Sequence, residues 1–483
     1  MTAVELHADW LADWLPSALA DGQDPFSFFM ALTGEPYRQV RGRETLAVEL
    51  AGRRCFIKRH LGVGWAAIVN DALRGHRPVV DARPEVDACS ALAAAGLQAP
   101  RVLAWGLRGA TPATRQSFVV LDELREHESL EDVWRDPALT SRARHRVLSA
   151  VADFSRRFHA AGFSHRDYYL CHLWQRRGME RHPVPELLVM DLHRARRFRT
   201  LPERYRLRDL AALLYSSFEV PPGKHAVLRF VRRYAGRPLR AEFRERGAFW
   251  RAVYRRALIL QQRTDRSVYR LAETTDQSFQ PCALEAAMAR GVVLKQDPPA
   301  TLVRVNWPPE PEPTPAGTAV IKRYNLLGPG HRLRQSLRPR SRAGRARRAA
   351  RWFERLGLPT AQVLAAVDER RFGLRQPQFL VLDDLGDATL ADVIGDDALA
   401  PVGEPLTNLI RLFRRLVIHG LEHGDTKATN LMVVGESFAF IDLDATRRRF
   451  GGSARDQARL LKNVVDQPLL RQQLRQRLLW PLD

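Results

Sequence analysis

Hydrophobic and polar positions in the first half of the chain predict a small sheet that is followed by helices. Within residues 1–35, tryptophan and leucine recur at helical spacing, so this segment is predicted to form a helical extension. Alternating runs at 46–50 and 54–59 flank a short turn and predict a β-hairpin. The other elements predicted in this half are a helix over 84–97, strands over 101–106 and 117–124, and helices over 129–162 and from 208 onwards.

The same order of predicted elements starts again in the second half of the chain. Strand patterns at 317–323 and 378–385 and a capped helix from Thr389 repeat those of the first half. A proline-rich stretch at 308–315 predicts a stiff loop inside this second set. We therefore place the domain boundary earlier, near residues 265–275. The predicted organisation is a helical extension over 1–35, a first domain over 36–268 and a second domain over 269–483.

Two loops, one in each half, carry the most distinctive polar residues of the chain. In the first half, His165-Arg-Asp167 precedes a short apolar strand that ends in Asp191. In the second half, His423-Gly-Asp425 precedes a strand that ends in Asp442. A His-x-Asp loop followed by such a strand is how kinase-like folds place a catalytic carboxylate beside a metal-binding one.

The spacing of four polar positions supports an internal repeat. A strand lysine precedes the loop aspartate by 109 residues in the first half and by 103 in the second. The loop aspartate precedes the strand aspartate by 24 and 17 residues, and a helix aspartate follows after a further 18 and 14. The positions are Lys58, Asp167, Asp191 and Asp209, and then Lys322, Asp425, Asp442 and Asp456. The predicted fold class is therefore α+β, with two tandem protein-kinase-like domains, each a small β-rich N-lobe and a helical C-lobe.

The chemistry of phosphoryl transfer explains why these residue types recur. ATP needs a cation over its phosphates and carboxylate-held Mg²⁺, and the acceptor hydroxyl needs a carboxylate that takes its proton. We assign Asp167 and Asp425 as catalytic bases, and Asp191 and Asp442 as metal ligands. Residues assigned to structural support of the two loops are His165, Asp209, His423 and Asp456.

Lysines are the predicted contacts to ATP. Lys58 and Lys322 lie near the ends of corresponding strands, and Lys427, two residues after Asp425, is placed to reach the γ-phosphate. Glu85, early in the helix over 84–97, is predicted either to pair with Lys58 or to serve as a first-turn acid. The second half has Ala346 at the matching place and therefore lacks an obvious glutamate partner for its lysine.

The residue five positions after the loop aspartate differs between the two halves. Asn430 stands there in the second half and is a sound second Mg²⁺ ligand. His172 stands there in the first half, where an imidazole is a poorer match to hard Mg²⁺. Two interpretations of His172 stay open, a metal ligand and a loop histidine that bonds to the backbone.

Composition and charge add a constraint on partners. The formal net charge of +22 favours an anionic partner, which would be a nucleic acid, an acidic membrane surface or a phosphorylated substrate; free use of arginine in a GC-rich genome is the alternative explanation. No recognisable nucleic-acid-binding module is present, so we expect no nucleic acid partner. Four widely spaced cysteines suggest neither a disulfide framework nor a zinc site. Without a signal pattern or a long apolar run, the chain is expected to be cytoplasmic.

These motifs resemble the lipopolysaccharide core kinase family, whose members phosphorylate heptose or Kdo sugars of the inner core. The first copy is similar to the heptose kinases at 56–65, 165–172 and 190–194, and the resemblance covers roughly residues 35–220. Its Cys-His variant of the catalytic loop makes His172 a family trait. The second copy is similar, more loosely, to Kdo-kinase-like members at 423–430 and 441–444.

The resemblance implies ATP- and Mg²⁺-dependent phosphorylation of a heptose or Kdo hydroxyl of nascent lipopolysaccharide at the cytoplasmic face of the inner membrane. The partner would be an anionic lipopolysaccharide core intermediate. Ten arginines, from Arg332 to Arg355, are predicted to make peripheral contact with the anionic membrane, or else to form a solvated basic face. Two alternatives remain: one active domain with a pseudokinase scaffold, and a small-molecule phosphotransferase.

Overall fold

The computed structural model describes residues 3–40, 42–73, 78–179, 185–270, 279–307, 317–395, 403–449 and 454–478. Its packing divides the chain into two compact units, 1–257 and 258–481. This division lies eleven residues before the predicted boundary after residue 268. The predicted proline-rich loop over 308–315 lies outside the described residues.

Unit 1 consists of an antiparallel sheet and a mainly helical part. Its strands are β1 (Ala3–Leu6), β2 (Glu35–Val40), β3 (Arg43–Leu50), β4 (Arg53–His60), β5 (Val102–Arg108), β6 (Gln116–Asp122), β7 (His127–Ser129), β8 (Phe163–Ser164), β9 (Leu173–Arg176), β10 (Leu187–Val189) and β11 (Arg196–Arg197). Its helices are α1 (Asp9–Ala18), α2 (Pro25–Ala31), α3 (Gly64–Leu73), α4 (Arg83–Ala94), α5 (Leu130–Arg135), α6 (Ser141–Ala160), α7 (Glu203–Ser216), α8 (Lys224–Ala235) and α9 (Leu239–Thr264), the last of which continues into unit 2.

The sheet of unit 1 has six strands in the order β1-β5-β6-β4-β3-β2. The predicted hairpin is its β3–β4 pair. Strand β1 was not predicted, because four residues are too few to show an alternating pattern. The helical pattern within residues 1–35 forms α1 and α2, and α2 begins at the side chain of Asp24, which accepts a hydrogen bond from the N–H of Ser27 at 3.2 Å. Both helices pack on the sheet, where Phe29 stacks on Phe118 with ring centroids 4.6 Å apart.

The mainly helical part of unit 1 holds the loops that follow the sheet. Its core lies between α5, α6 and α7 and includes Val151, Phe158 and Leu213. At the start of α5, the Ser129 hydroxyl accepts the N–H of Asp132 at 3.1 Å and so caps the helix. Two small sheets, β10-β9-β7 and β11-β8, fix the ends of the loop around residue 167.

Unit 2 repeats this order of elements. Its helices are α10 (Arg266–Tyr269), α11 (Pro281–Arg290), α12 (Pro329–Ser336), α13 (Arg342–Arg355), α14 (Leu390–Gly395), α15 (Glu404–Ile418), α16 (Ala454–Lys462) and α17 (Pro468–Leu478). Its strands are β12 (Val292–Asp297), β13 (Ala300–Trp307), β14 (Gly317–Tyr324), β15 (Val363–Val367), β16 (Arg370–Arg371), β17 (Leu374–Arg375), β18 (Gln378–Asp383), β19 (Leu421–Glu422), β20 (Leu431–Val434), β21 (Ser437–Phe440) and β22 (Arg447–Arg448). The main sheet has the order β12-β13-β14-β18-β15.

Each main sheet carries one of the predicted lysines on a central strand. Lys58 on β4 lies opposite Val119 on β6, and Lys322 on β14 lies opposite Leu380 on β18. A helix then packs beside each of these strands, α4 in unit 1 and α13 in unit 2. The mixed helix-and-sheet class predicted from the sequence is confirmed in both units.

The arginine-rich segment forms α12 and α13, and several of its side chains are used inside unit 2. Arg342 Nε donates to Asp444 Oδ2 at 2.7 Å, and Arg345 Nε donates to the backbone oxygen of Asp444 at 3.1 Å. Arg332 Nε donates to the backbone oxygen of Arg375 at 2.9 Å. The exposed arginines of the segment are Arg334, Arg338, Arg340 and Arg355. Membrane contact through this segment therefore stays a prediction, and it rests on fewer arginines than the sequence count suggests.

Candidate active site

The candidate site of unit 1 is built around the loop between β8 and β9. Asp209 on α7 is fully buried and accepts two backbone hydrogen bonds from this loop. Its Oδ2 receives the N–H of His165 at 2.8 Å, and its Oδ1 receives the N–H of Arg166 at 3.0 Å. Arg166 is thereby held in the left-handed region at φ 73°, which is uncommon for a residue with a Cβ atom. Asp209 thus braces the loop immediately before Asp167.

His165 ties the same loop to the end of β10. Its Nε2–H donates to the backbone oxygen of Met190 at 2.7 Å. Burial lowers the pKa of this imidazole below its ordinary value, so His165 stays neutral near pH 7. The structure therefore brings His165 and Asp209 together as the two supports that the sequence predicts.

The carboxylate of Asp167 is held by an arginine. Arg194 Nη1 donates to Asp167 Oδ2 at 2.9 Å and to Oδ1 at 3.1 Å. Asp167 is about a quarter exposed, so a substrate hydroxyl can reach it. Because Arg194 follows Asp191 by three residues, one short segment supplies both a cation for Asp167 and the predicted metal ligand.

Asp191 lies at the centre of the charged cluster. Its Oδ1 accepts a hydrogen bond from His193 Nδ1 at 2.6 Å and lies 3.4 Å from Lys58 Nζ. Burial alone would raise the pKa of Asp191, but the hydrogen bond from His193 and the charge of Lys58 hold this pKa well below its usual range. The backbone of Asp191 is left-handed, with φ 56°. An ionised carboxylate is therefore fixed at this position.

Lys58 and Glu85 form a direct ion pair. Lys58 Nζ lies 2.5 Å from Glu85 Oε1, and Glu85 is almost fully buried on α4. Burial alone would lower the pKa of Lys58, but Glu85 and Asp191 outweigh it and raise this pKa, so the ammonium stays charged. The open question about Glu85 is resolved in favour of pairing with Lys58. Its second oxygen, Oε2, is buried and has no hydrogen-bond partner among the described residues.

His172 bonds to the backbone and also points toward Asp191. Its Nδ1–H donates to the backbone oxygen of Asp167 at 2.6 Å, and its Nε2 lies 3.8 Å from Asp191 Oδ2. In the neutral form of this tautomer, Nε2 carries a lone pair. A histidine whose other ring nitrogen donates to a backbone carbonyl is oriented as metal-ligating histidines usually are. The two interpretations of His172 left open by the sequence are thus compatible.

A cleft of about 600 Å³ opens onto these groups. That volume is typical of nucleotide and other small-molecule sites. Residues that line it include Lys58, Glu85, His172, Asp191 and His193 from the charged cluster, and Asp122, Glu123 and Leu124 from the end of β6. Charged side chains together with apolar ones such as Leu121, Leu124 and Met190 are suited to a phosphorylated molecule with an apolar ring system.

The residues present fit a magnesium ion that is shared with phosphates. Asp191 supplies an ionised oxygen, and His172 Nε2 lies on the side of its second oxygen. Among the described residues, no group of three or more His, Cys, Asp or Glu side chains forms a complete metal cage. Magnesium in phosphoryl-transfer sites commonly takes one or two protein ligands and completes its shell with phosphate oxygens and water.

The loop of unit 2 is braced in the same way as that of unit 1. Asp456 on α16 accepts the N–H of His423 at 2.7 Å and the N–H of Gly424 at 3.0 Å. His423 Nε2–H donates to the backbone oxygen of Ile441 at 2.9 Å. Gly424 has φ 88°, close to the left-handed value of Arg166 in unit 1. Here a glycine occupies the position where unit 1 holds an arginine in a strained conformation.

Asp425 is surrounded by more groups than Asp167. Arg459 Nη1 donates to Asp425 Oδ1 at 2.9 Å, and Lys427 Nζ lies 3.4 Å from Oδ2. Asn430 Nδ2 donates to the backbone oxygen of Asp425 at 2.8 Å and to its Oδ2 at 3.2 Å. The backbone bond from Asn430 matches that of His172 in unit 1. In unit 2 the arginine that contacts the loop aspartate lies on α16, whereas in unit 1 it lies in the segment after the strand aspartate.

Lys322 contacts Asp442 directly. The distance from Lys322 Nζ to Asp442 Oδ1 is 2.6 Å, and Ala346 on α13 stands where unit 1 has Glu85. Burial would raise the pKa of Asp442, but Lys322 lowers it below its usual value. Asp442 has φ 59°, which matches Asp191. Among the described residues, Lys322 and Asp442 border a small cavity of about 20 Å³, space for a water molecule.

Three side chains near the two aspartates were missed as site residues by the sequence reasoning. His193 and Arg194 lie within the segment 190–194 that resembles the heptose kinases, but the sequence assigned no role to either residue. Arg459 had no sequence signal, because its position depends on how α16 packs against the loop. The signal for Arg194 was its place three residues after the strand aspartate, where unit 2 has Ala445.

The chain is similar to known lipopolysaccharide kinases. The model of the lipopolysaccharide kinase (Kdo/WaaP) family matches residues 27–234 and 330–478. The lipopolysaccharide core heptose(I) kinase WaaP of Pseudomonas aeruginosa is 37% identical over 255 residues, which are 51% of this chain and 94% of that protein. The enzyme of the same name from Escherichia coli K12 is 34% identical over 223 residues, 45% of this chain and 84% of that protein. A solved structure of WaaP in complex with acyl carrier protein has 33% identity and a TM-score of 0.43, and covers 53% of this chain and 99% of that one.

Proposed function

The chain belongs to the lipopolysaccharide kinase (Kdo/WaaP) family and is therefore a sugar kinase, and we propose that its first unit phosphorylates a heptose hydroxyl of the lipopolysaccharide inner core. The observation that carries this proposal is the convergence of Lys58, Asp191 and His172 on one cleft, with Asp167 on the adjoining loop. Heptose is preferred to Kdo as the acceptor, because the named relatives are heptose kinases.

Both units are proposed to be kinase-like domains, with the predicted bounds 36–268 and 269–483. Support comes from backbone features that a shared fold would produce. In each unit a buried helix aspartate accepts the N–H groups of two successive loop residues, which precede the proposed base. In each unit the strand aspartate is left-handed, at φ 56° for Asp191 and φ 59° for Asp442. Each of these two carboxylates also contacts a strand lysine.

In the proposed reaction, Asp167 orients the heptose hydroxyl and accepts its proton as the oxygen attacks the γ-phosphorus of ATP. The bond to the bridging oxygen of ADP breaks as the new bond forms. Arg194, which already holds the Asp167 carboxylate, fixes its orientation and stands where it can offset the charge of the transferring group. Asp209 and His165 keep this loop in place and need not move during the step.

Lys58 is proposed to contact the phosphates of ATP. Glu85 holds its ammonium in the cleft, and the raised pKa of Lys58 keeps that group charged. Asp191 and His172 are the proposed ligands of Mg²⁺, which spreads the negative charge of the phosphates when it is bound. The end of β6, at Asp122 to Leu124, is the proposed contact for the adenine ring.

For the second unit, the observed contacts favour the alternative of a pseudokinase scaffold. Its lysine already contacts Asp442 at 2.6 Å, and Ala346 stands where unit 1 has the helix glutamate. Its loop aspartate is contacted by Arg459 and Lys427 together. We therefore propose that unit 1 performs the heptose transfer, and that Asp425, Asn430, Lys427 and Lys322 do not serve this reaction.

The proposed location is the cytoplasmic face of the inner membrane, where the acceptor is an anionic glycolipid. Within the described part of the chain, no helix combines the length and apolar character needed to cross a bilayer. The net charge of +22 supports attraction to an anionic acceptor and an anionic leaflet.

The test is transfer of labelled phosphate from ATP to purified core lipid by the full chain, with Asp167→Asn and Asp425→Asn as matched variants. We expect Asp167→Asn to lose at least about 100-fold in kcat and Asp425→Asn to keep wild-type activity. A core lipid that ends at Kdo and lacks heptose should not be labelled. Full activity of Asp167→Asn would overturn the assignment to unit 1, and labelling of the heptose-free lipid would overturn the choice of acceptor.

A further inference from the structure

Helix α3 of unit 1 carries an exposed apolar stripe. Three large apolar side chains recur every four positions along this helix, so they share one helical face. They are Trp65, Val69 and Leu73, with exposed fractions of 58%, 52% and 83%, and Leu61, three residues before the helix, is 47% exposed. No residue of α3 is buried. A helix of a globular protein normally turns such a face toward the core, so this exposed face marks an interaction surface.

The segment just before α3 adjoins residues of the candidate active site. The N–H of Leu61 donates to the backbone oxygen of Gly42 at 2.9 Å, and the next residue, Arg43, lines the cleft. Arg43 also lies within electrostatic range of Asp71 on α3 and of Asp191. A surface that covers the stripe would therefore lie close to Arg43, which lines the cleft.

Unit 2 also has exposed apolar residues at the same topological position. Helix α12 follows the strand that carries Lys322, as α3 follows the strand that carries Lys58. Leu333 on this helix, Leu337 directly after it and Leu327 just before it have exposed fractions of 55%, 79% and 57%. Exposed Arg334 and Arg338 each directly follow one of these leucines. Apolar residues interleaved with arginine are typical of helices that lie in the interface of an anionic membrane.

We propose that α3 and α12 are interfacial helices whose stripes insert into the surface of an anionic lipid bilayer. The inference rests on the proposed function, because a lipid-borne acceptor requires the cleft to open close to the membrane. Tryptophan and leucine on one face suit the boundary between headgroups and acyl chains, and neighbouring arginines suit anionic headgroups. The strong positive charge of the whole chain also favours binding to an anionic bilayer.

The first test is co-sedimentation of the full chain with vesicles of phosphatidylethanolamine and phosphatidylglycerol. The variants are Trp65→Ser/Val69→Ser/Leu73→Ser and Leu333→Ser/Leu337→Ser. The control is Leu469→Ser, at a residue that is 68% exposed on α17 and outside both stripes. We expect each stripe variant to weaken vesicle partition by at least about tenfold and the control to behave as wild type. Wild-type partition of both stripe variants would overturn the proposal.

A second measurement separates this inference from the proposed function. Phosphorylation is compared on core lipid embedded in the same vesicles and on the soluble core oligosaccharide released from it. We expect the stripe variants to lose activity on the embedded acceptor alone. If the wild-type chain phosphorylates neither acceptor, the proposed function fails whatever the vesicles show. If the stripe variants change only the oligomeric state in light scattering, the stripe is covered by a second copy, and the membrane proposal is overturned.

Discussion

Arg194 Nη1 lies 2.9 Å from Asp167 Oδ2 and 3.1 Å from Asp167 Oδ1, so one cation holds both oxygens of the proposed base. In unit 2 the corresponding contact comes from Arg459, on a different element, at 2.9 Å from Asp425 Oδ1. The two units thus place their loop aspartates alike but contact them with arginines from different structural elements. This difference gives a way to test which unit carries out the reaction.

Arg194→Ala should lower kcat by roughly 10- to 100-fold, because the base loses the group that orients it and the transferring charge loses a nearby cation. The KM for ATP should change little, since Lys58 and Asp191 are untouched. Steady-state kinetics on core lipid measures both quantities. Arg459→Ala is the matched variant in unit 2 and should leave kcat unchanged; a larger loss there than in Arg194→Ala would contradict the assignment of chemistry to unit 1.

Glu85→Gln should raise the KM for ATP by about tenfold, because Lys58 then lacks the buried carboxylate that holds it toward the cleft. Lys58 would still contact Asp191 at 3.4 Å, so activity should fall without vanishing. Isothermal titration with a non-hydrolysable ATP analogue measures the effect directly. Asp87→Asn changes an exposed acid on the same helix and serves as the control. Equal affinities in Glu85→Gln and Asp87→Asn would refute the role of the ion pair.

Gly424→Ala should destabilise the protein by about 2 kcal/mol or more. The residue has φ 88°, and a Cβ atom there would lie 2.9 Å from the backbone oxygen of Ala445. Gly435→Ala is the matched control, because Gly435 has φ 56° with no atom within 4 Å of the added carbon. Its cost should be about 1 kcal/mol, from the backbone conformation alone. Urea denaturation compares the two, and a larger loss in Gly435→Ala would contradict the steric argument.

His60 should make the stability of the chain depend on pH. Burial, aided by the nearby charge of Arg43, lowers the pKa of His60 to about 4. A histidine of an unfolded chain titrates near 6.5, so the unfolded state binds the proton first as the pH falls. Stability from this residue is therefore complete above about pH 6.5 and is lost progressively down to about pH 4, with a loss of about 2 kcal/mol at about pH 5.

Urea denaturation of the full chain at neutral pH and near pH 5 measures this loss. His60→Gln cannot titrate, so its free energy of unfolding should fall less over the same range than that of the wild type. His225→Gln, at an exposed histidine, should keep the wild-type pH dependence. An identical pH dependence in His60→Gln and the wild type would show that the buried imidazole does not control it.

The sequence alone determined the parts of the site that depend on local order. His165, Asp167 and Asp209 follow one another in the order that a kinase-like loop braced by a helix aspartate requires. In the structure, Asp209 binds the N–H groups of His165 and Arg166, directly before Asp167. The same holds for His423, Asp425 and Asp456. The lysine strands were also predictable, because alternating apolar residues and a short turn leave few other local structures.

Only the tertiary structure decided which side chains meet across long separations. Three contacts depend on packing between elements that are distant in the sequence: the pairing of Lys58 with Glu85, the contact of Lys322 with Asp442, and the contact of Arg459 with Asp425. The exposure of the stripe on α3 could not be predicted from the sequence either, because apolar residues four positions apart normally indicate the buried face of a helix. The physical reason is the same in each case: periodicity and order along the chain specify local conformation, whereas partner choice depends on the distances that packing sets between elements distant in the sequence.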